Sequence, residues 1–244
     1  MRRLLVVLVV LGAILVGADR IAEFAAARAV AHQLRSSEHL ARDPQVHFAG
    51  FPFLTQALRG RFSEVDLTAT DVQTAAVPVA RVSVRLLGVH ASVARALAGR
   101  LRSVPVDSVS GTGLLRYADL ASVLSRTLAG VVSGGVTGGV TGGVRLRDAG
   151  GRLAISGRAS IGGSTVPVEV DCTVAVVGSS IRVVPQLAVL PVLGSQTLPA
   201  SVQQQLAVTI PADRLPFGVR VRSVAVRPEG LVVHGTSTGF VLPA

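Results

Sequence analysis

Glu64, Asp66 and Asp71 line up on or near one alternating segment, which places Glu64 and Asp66 on the same face of a strand. Two carboxylates can share general acid and base work when they converge across a cleft. A solvated, charged strand face accounts for the same spacing. The five histidines are His32, His39, His47, His90 and His234, and none forms H-E-x-x-H or a close metal-binding spacing. His234 shares the polar side of its segment with Thr236 and Thr238. There is no G-x-S-x-G elbow for a nucleophilic serine. The tract "SGGVTGGVTGGV" (133–144) is a four-residue near-repeat. A phosphate-cradling loop would need a following Gly-Lys-Ser/Thr, and the chain has no Lys, so the tract reads as a low-complexity loop. Cys172 is the only cysteine. It can form no intramolecular disulfide and no Cys-based zinc site, and its place on an apolar strand face marks a structural thiol. No catalytic constellation, cofactor or metal is expected. The alternative is an envelope hydrolase or transferase acting on a lipid or glycan, with its acids among Glu64, Asp66 and Asp119.

Binding is the other kind of chemistry available. The net charge is +10, and every cation is an arginine. Guanidiniums stay charged and grip carboxylate or phosphate with paired hydrogen bonds. An anionic partner follows. Nucleic acid is disfavoured, because the arginines are scattered singly or in pairs such as Arg59/Arg61 and Arg220/Arg222. Aromatics are only 3% of the chain, so few rings could stack on bases.

These groups need elements to position them. Met1-Arg2-Arg3 precedes a fifteen-residue uncharged run, "LLVVLVVLGAILVGA" (4–18), ended by Asp19 and Arg20. The run is short for a bilayer span and reads as a signal peptide or membrane anchor, with residues 19–244 exported as one domain. Residues 19–40 are expected to be helical, with Ile21, Phe24, Ala25, Arg28, Ala31 and Leu34 at three/four spacing. An uncleaved run would join them in one long helix. Period-two alternation predicts strands at 45–49, 64–70, 81–86, 152–161, 166–176, 181–184, 219–227 and 231–240. In 219–227 the apolar phase flips between Val221 and Val224. Further helices are expected at 117–130 and 199–208. The expected class is α+β: a curved, mainly antiparallel sheet wrapped around a few helices, with an apolar lipid groove.

Four of the seven Phe fall in "HFAGFPFLTQALRGRF" (47–62). The stretch reads as strand, short helix, strand. Gly50 permits a turn, Pro52 opens the helix at its first position, and Gly60 ends it. Phe51, Phe53, Leu54 and Phe62 gather at this corner. They could plug the end of the sheet, or form an apolar lip flanked by Arg59 and Arg61 that meets lipid.

"VHFAGFPFLTQALRGRFSEVDL" (46–67) resembles the hallmark of the LmeA family of phospholipid-binding proteins, which are exported envelope proteins of actinobacteria. "DRIAEFAAARAVAHQL" resembles the helix after that family's N-terminal apolar segment. "LRYADLASVL" resembles its middle helix, and "LPFGVRVRSVAVRPEGLVVHGTSTGFVL" its C-terminal hairpin. The resemblance implies phospholipid binding in the cell envelope and supplies no catalytic residues. The candidate lipid-contact residues are Phe51, Pro52, Phe53, Leu54, Arg59, Arg61, Phe62 and Phe217. The expected partners are anionic phospholipid and a membrane surface.

Overall fold

A computed structural model describes residues 2–38, 40–73, 77–92, 103–131, 143–161, 164–178, 180–190, 194–197, 199–211 and 220–243. Phe217, His39 and nearly all of the Gly-rich tract lie outside the described residues. The elements are α1 (Arg2–Glu38), β1 (Gln45–Ala49), α2 (Phe53–Arg59), β2 (Phe62–Val72), β3 (Val79–Val89), β4 (Ser103–Leu115), α3 (Tyr117–Val131) and β5 (Arg145–Asp148). They continue with β6 (Leu153–Ile161), β7 (Ser164–Val177), β8 (Ser180–Leu190), β9 (Gly194–Thr197), α4 (Ala200–Leu206), β10 (Val208–Pro211), β11 (Arg220–Arg227) and β12 (Gly230–Pro243). The class is α+β with mostly antiparallel sheets, as the one-sided alternation implied. The strands divide into two sheets where one was expected. One has the order β1-β2-β3-β4-β12-β11; the other has β10-β8-β7-β6-β5, with β9 paired to β8.

The chain packs as two compact units. The first comprises Met1–Asp71, Val82–Gly111 and Thr236–Ala244. In it α1 is one unbroken helix of 37 residues, so the apolar run and the following Ala-rich segment do form a single rod. This helix is long and apolar enough to cross a membrane, with a mean hydropathy of 2.4 over its most apolar window. Residues 2–18 are exposed throughout, and burial begins at Asp19. The face that packs is not the one the large apolar residues suggested. Asp19, Glu23 and Ala31 are buried, and Ala22, Ala26, Ala27 and Leu34 are half-buried, while Ile21, Phe24, Ala25 and Arg28 face outward. Alanine lets α1 lie close against β1 and α2, where larger side chains would hold it off.

β1 and β2 pair antiparallel, with Phe48 opposite Val65 and His47 opposite Asp66. The alternation is read directly: Phe48 is buried and His47 is exposed. β4 was not foreseen. Pro105 interrupts it, Gly111 and Gly113 weaken it, and its buried residues change phase between Val106 and Val109.

The second unit comprises Val72–Arg81 and Thr112–Gly235. Its core gathers Leu153, Cys172, Val226 and Leu231, with Leu115, Tyr117, Leu120 and Val170 packed against them. Cys172 pairs across β6–β7 with Leu153. A register shift between Asp171 and Cys172 lets β8 pass from Leu187 to Pro185 against successive β7 residues, a bulge in the ladder. In β11 the buried positions Val221 and Val226 stand an odd number apart, as the phase flip in the sequence required.

Burial pushes the Cys172 thiol up from 9.0 to about 11, and the neighbouring Asp171 carboxylate adds to the shift. A thiol reagent at neutral pH is therefore expected to label the native protein far more slowly than the denatured chain. The folded state holds the proton while the unfolded chain releases it near pH 9. This thiol's contribution to stability is thus complete below about pH 8.5 and declines as pH rises toward 11. Native labelling at the denatured rate would show that Cys172 is open to solvent.

Candidate lipid-contact corner

The corner is built from four consecutive devices. Gly50, at φ 100°, turns the chain after β1 in a conformation that residues with a Cβ rarely adopt. Pro52 then precedes the helix with extended backbone, so it is the N-cap residue and Phe53 is the first helical one. The sequence placed Pro52 one position further in. Proline has no side-chain group to cap the open N–H groups of α2. That role falls to Asp19, from α1. Its two carboxylate oxygens accept the N–H groups of Phe53 and Leu54 at 3.0 and 2.7 Å. Gly60 ends the helix at φ 64°, and its N–H returns to the Ala57 carbonyl at 3.1 Å. Gln56 ties the two strand ends together: its amide donates to the Ala49 carbonyl, and its side-chain oxygen accepts the Ser63 N–H at 2.9 Å.

The Phe cluster divides between the inside and the outside of the corner. Phe48, Phe53 and Phe62 form a three-ring core with centroids 5.2 to 5.7 Å apart. Phe53 and Phe62 are each only 5% exposed. Phe51 is 59% exposed, Leu54 39% and Leu58 90%. Pro52, Arg59 and Arg61 are also on the outside. Thus α2 carries two apolar stripes: Phe53 and Ala57 turn inward, while Leu54 and Leu58 turn outward. Leu58 was not singled out from the sequence, although its four-residue spacing from Leu54 was there to be read.

Cations sit beside the exposed apolar groups. The Arg20 guanidinium lies 5.2 Å from the Phe51 ring centre, and the Arg28 guanidinium 4.4 Å from that of Phe24. Arg20 also pairs with Glu23 at 2.6 Å, and His47 approaches the same carboxylate at 3.3 Å. Arg61 is 3.8 Å from Asp107.

The acids considered for catalysis are otherwise engaged or apart. Glu64 and Asp66 both contact the Nε of Arg85, at 3.0 and 2.9 Å. The hydrogen bond to Asp66 and the two negative charges hold the Arg85 guanidinium above its usual range. Asp119 lies in the first turn of α3, in the second unit. Among the described residues, no three His, Cys, Asp or Glu side chains gather as metal ligands would. The corner presents exposed apolar side chains and guanidinium groups side by side.

The comparisons with curated proteins and with solved structures found no match to the chain. A family model described as LmeA-like phospholipid-binding matches residues 17–236, a span that takes in the Asp19 cap, the Phe corner, all of the second compact unit and most of the first, and the chain belongs to that family.

Proposed function

We propose that residues 19–244 act as one exported lipid-binding domain of the cell envelope. It binds phospholipid, with a preference for anionic head groups, and serves envelope lipid or lipoglycan biogenesis without catalysing a reaction itself. The observation that carries this reading is the exposure of Phe51, Leu54 and Leu58 beside guanidiniums, in a chain of a phospholipid-binding family. Export is supported by the order of charges, with Arg2 and Arg3 ahead of the apolar run. Acyl contact supplies most of the affinity, at about 0.8 kcal/mol per buried CH₂. The head group adds a smaller term, screened beyond about 10 Å at 0.1 M salt.

The test is a titration of the full-length protein, held in nonionic detergent, with fluorescent phosphatidylglycerol and phosphatidylcholine. Phosphatidylglycerol should bind more tightly, and its advantage should shrink as salt is raised. Leu58→Asp removes an apolar side chain that the fold does not need. It should weaken binding of both lipids roughly tenfold, equivalent to about 1.4 kcal/mol. Arg59→Glu should weaken only phosphatidylglycerol, and mainly at low salt. A well-folded wild type that binds neither lipid overturns the reading.

A further inference from the structure

The Asp19 cap joins the apolar half of α1 to the α2 corner, and that joint fixes how deep the corner lies. Residues 4–18 give about 22 Å of helix, short of the roughly 30 Å of a bilayer's hydrocarbon core. The helix does not end there; it runs on to Glu38. Residues 4–24 give about 31 Å, so the outer border of the core falls along residues 19–24, where the corner is joined. Two acids fall within that extension, and both are turned into the protein. Asp19 is buried on the N–H groups of Phe53 and Leu54. Glu23 is buried between Arg20 and His47. Arg20 is half-exposed and reaches over the Phe51 ring, as a cation does when its stem lies in an apolar layer. What α1 leaves on its outward side is Ile21 and Phe24, followed one turn later by Arg28. An apolar stripe ending in an aromatic ring and a cation is the composition of a helix at a bilayer border.

We propose that α1 remains in the bilayer as an anchor. Asp19 then holds the α2 corner at the bilayer border, with Phe51, Leu54 and Leu58 among the acyl chains of the leaflet from which α1 emerges. The inference rests on the phospholipid reading and deepens it, since the lipid met at the corner is that of the membrane in which the chain is anchored. Bilayer is favoured over a second protein as the occupant because the exposed corner is continuous with an apolar rod. The direct hydrogen bonds that Phe53 and Leu54 donate to Asp19 leave no room for a spacer between the two. Phe51, Leu54 and Leu58 would otherwise hold apolar surface in water beside a membrane.

The full-length protein carrying Leu58→Cys, labelled there with an environment-sensitive fluorophore, is reconstituted into phosphatidylglycerol/phosphatidylcholine vesicles. Cys172 is buried and stays unlabelled. Emission should shift to the blue, and nitroxides on the lipid acyl chains should quench it at least twofold. Phe51→Cys should behave alike. Intact-mass measurement on the native membrane fraction should find residues 2–18 still attached. A label at position 58 that emits as in water and escapes the acyl nitroxides overturns the docking, and a native chain beginning at Asp19 overturns the anchor. The detergent titration reads the two ideas separately. Tight phospholipid binding with an aqueous label leaves lipid binding standing and the docking refuted. A lipid-quenched label without binding in detergent does the reverse.

Discussion

Phe53→Asp is expected to unfold the corner, with a melting temperature more than 10 °C below that of the wild type. The ring is 5% exposed and lies 5.3 Å from Phe48 and 5.7 Å from Phe62. Truncating a buried Phe costs about 3–5 kcal/mol, and each aromatic pair adds roughly 0.5–1.5 kcal/mol. A carboxylate at this position would be buried without a cation and close to Asp19, whose oxygens already sit on the Phe53 N–H. The sum exceeds about 5 kcal/mol, a large part of the 5–15 kcal/mol that holds a typical domain together. For a chain of this size that amounts to a fall of at least 10 °C, at about 2–4 °C per kcal/mol. Thermal unfolding followed by circular dichroism reads it. Phe53→Leu, which keeps an apolar side chain, should lose about 1–2 kcal/mol. A Phe53→Asp protein that melts within a few degrees of the wild type would mean that the ring is not core.

Asp19→Ala comes second in size. It leaves two backbone N–H groups at the start of α2 without their acceptor, one of them fully buried. A lost cap costs about 0.5–2 kcal/mol and a buried unsatisfied donor about 1–3 kcal/mol, so a loss near 3 kcal/mol is expected. Asp19→Asn keeps one good acceptor and should lose about half as much. Hydrogen exchange gives a local reading: the amides of Phe53 and Leu54 should exchange at least a hundredfold faster in Asp19→Ala. Amides in β6 and β7, in the other compact unit, should be unchanged. Equal acceleration in both units would mean that the cap supports the whole chain and is not local to the corner.

What the sequence revealed, and what it hid, follows from the range of the interactions involved. β7 was legible because six residues from Val166 to Val176 alternate without a break. α2 was legible because Pro52 and Gly60 bracket it. β4 was hidden by Pro105, by its glycines and by its change of phase. The division into two sheets was hidden because β12 lies beside β4, a pairing between distant segments that local periodicity does not record. At the corner, the gathering of Phe48, Phe53 and Phe62 was visible as composition. Which rings turn inward was not: Phe51, in the turn after β1, is exposed, while Phe48, Phe53 and Phe62 come from three different elements and are buried against one another. The packed face of α1 was misread because its contacts are made by alanines and by Asp19, while the bulkier Ile21 and Phe24 are left outside. Asp19 itself looked like the residue that ends an apolar run. Its partners lie 34 and 35 residues away, beyond any local pattern.

That separation sets a clock on biosynthesis. The Ala18–Asp19 bond lies in unbroken helix beside a buried side chain, whereas proteases act on extended, accessible chain. Until Phe53 and Leu54 have been made, Asp19 has nothing to hold. At about 5–20 residues per second, the ribosome needs roughly 2–7 s to add the intervening 34 residues. α1 is therefore complete well before the corner that Asp19 caps exists.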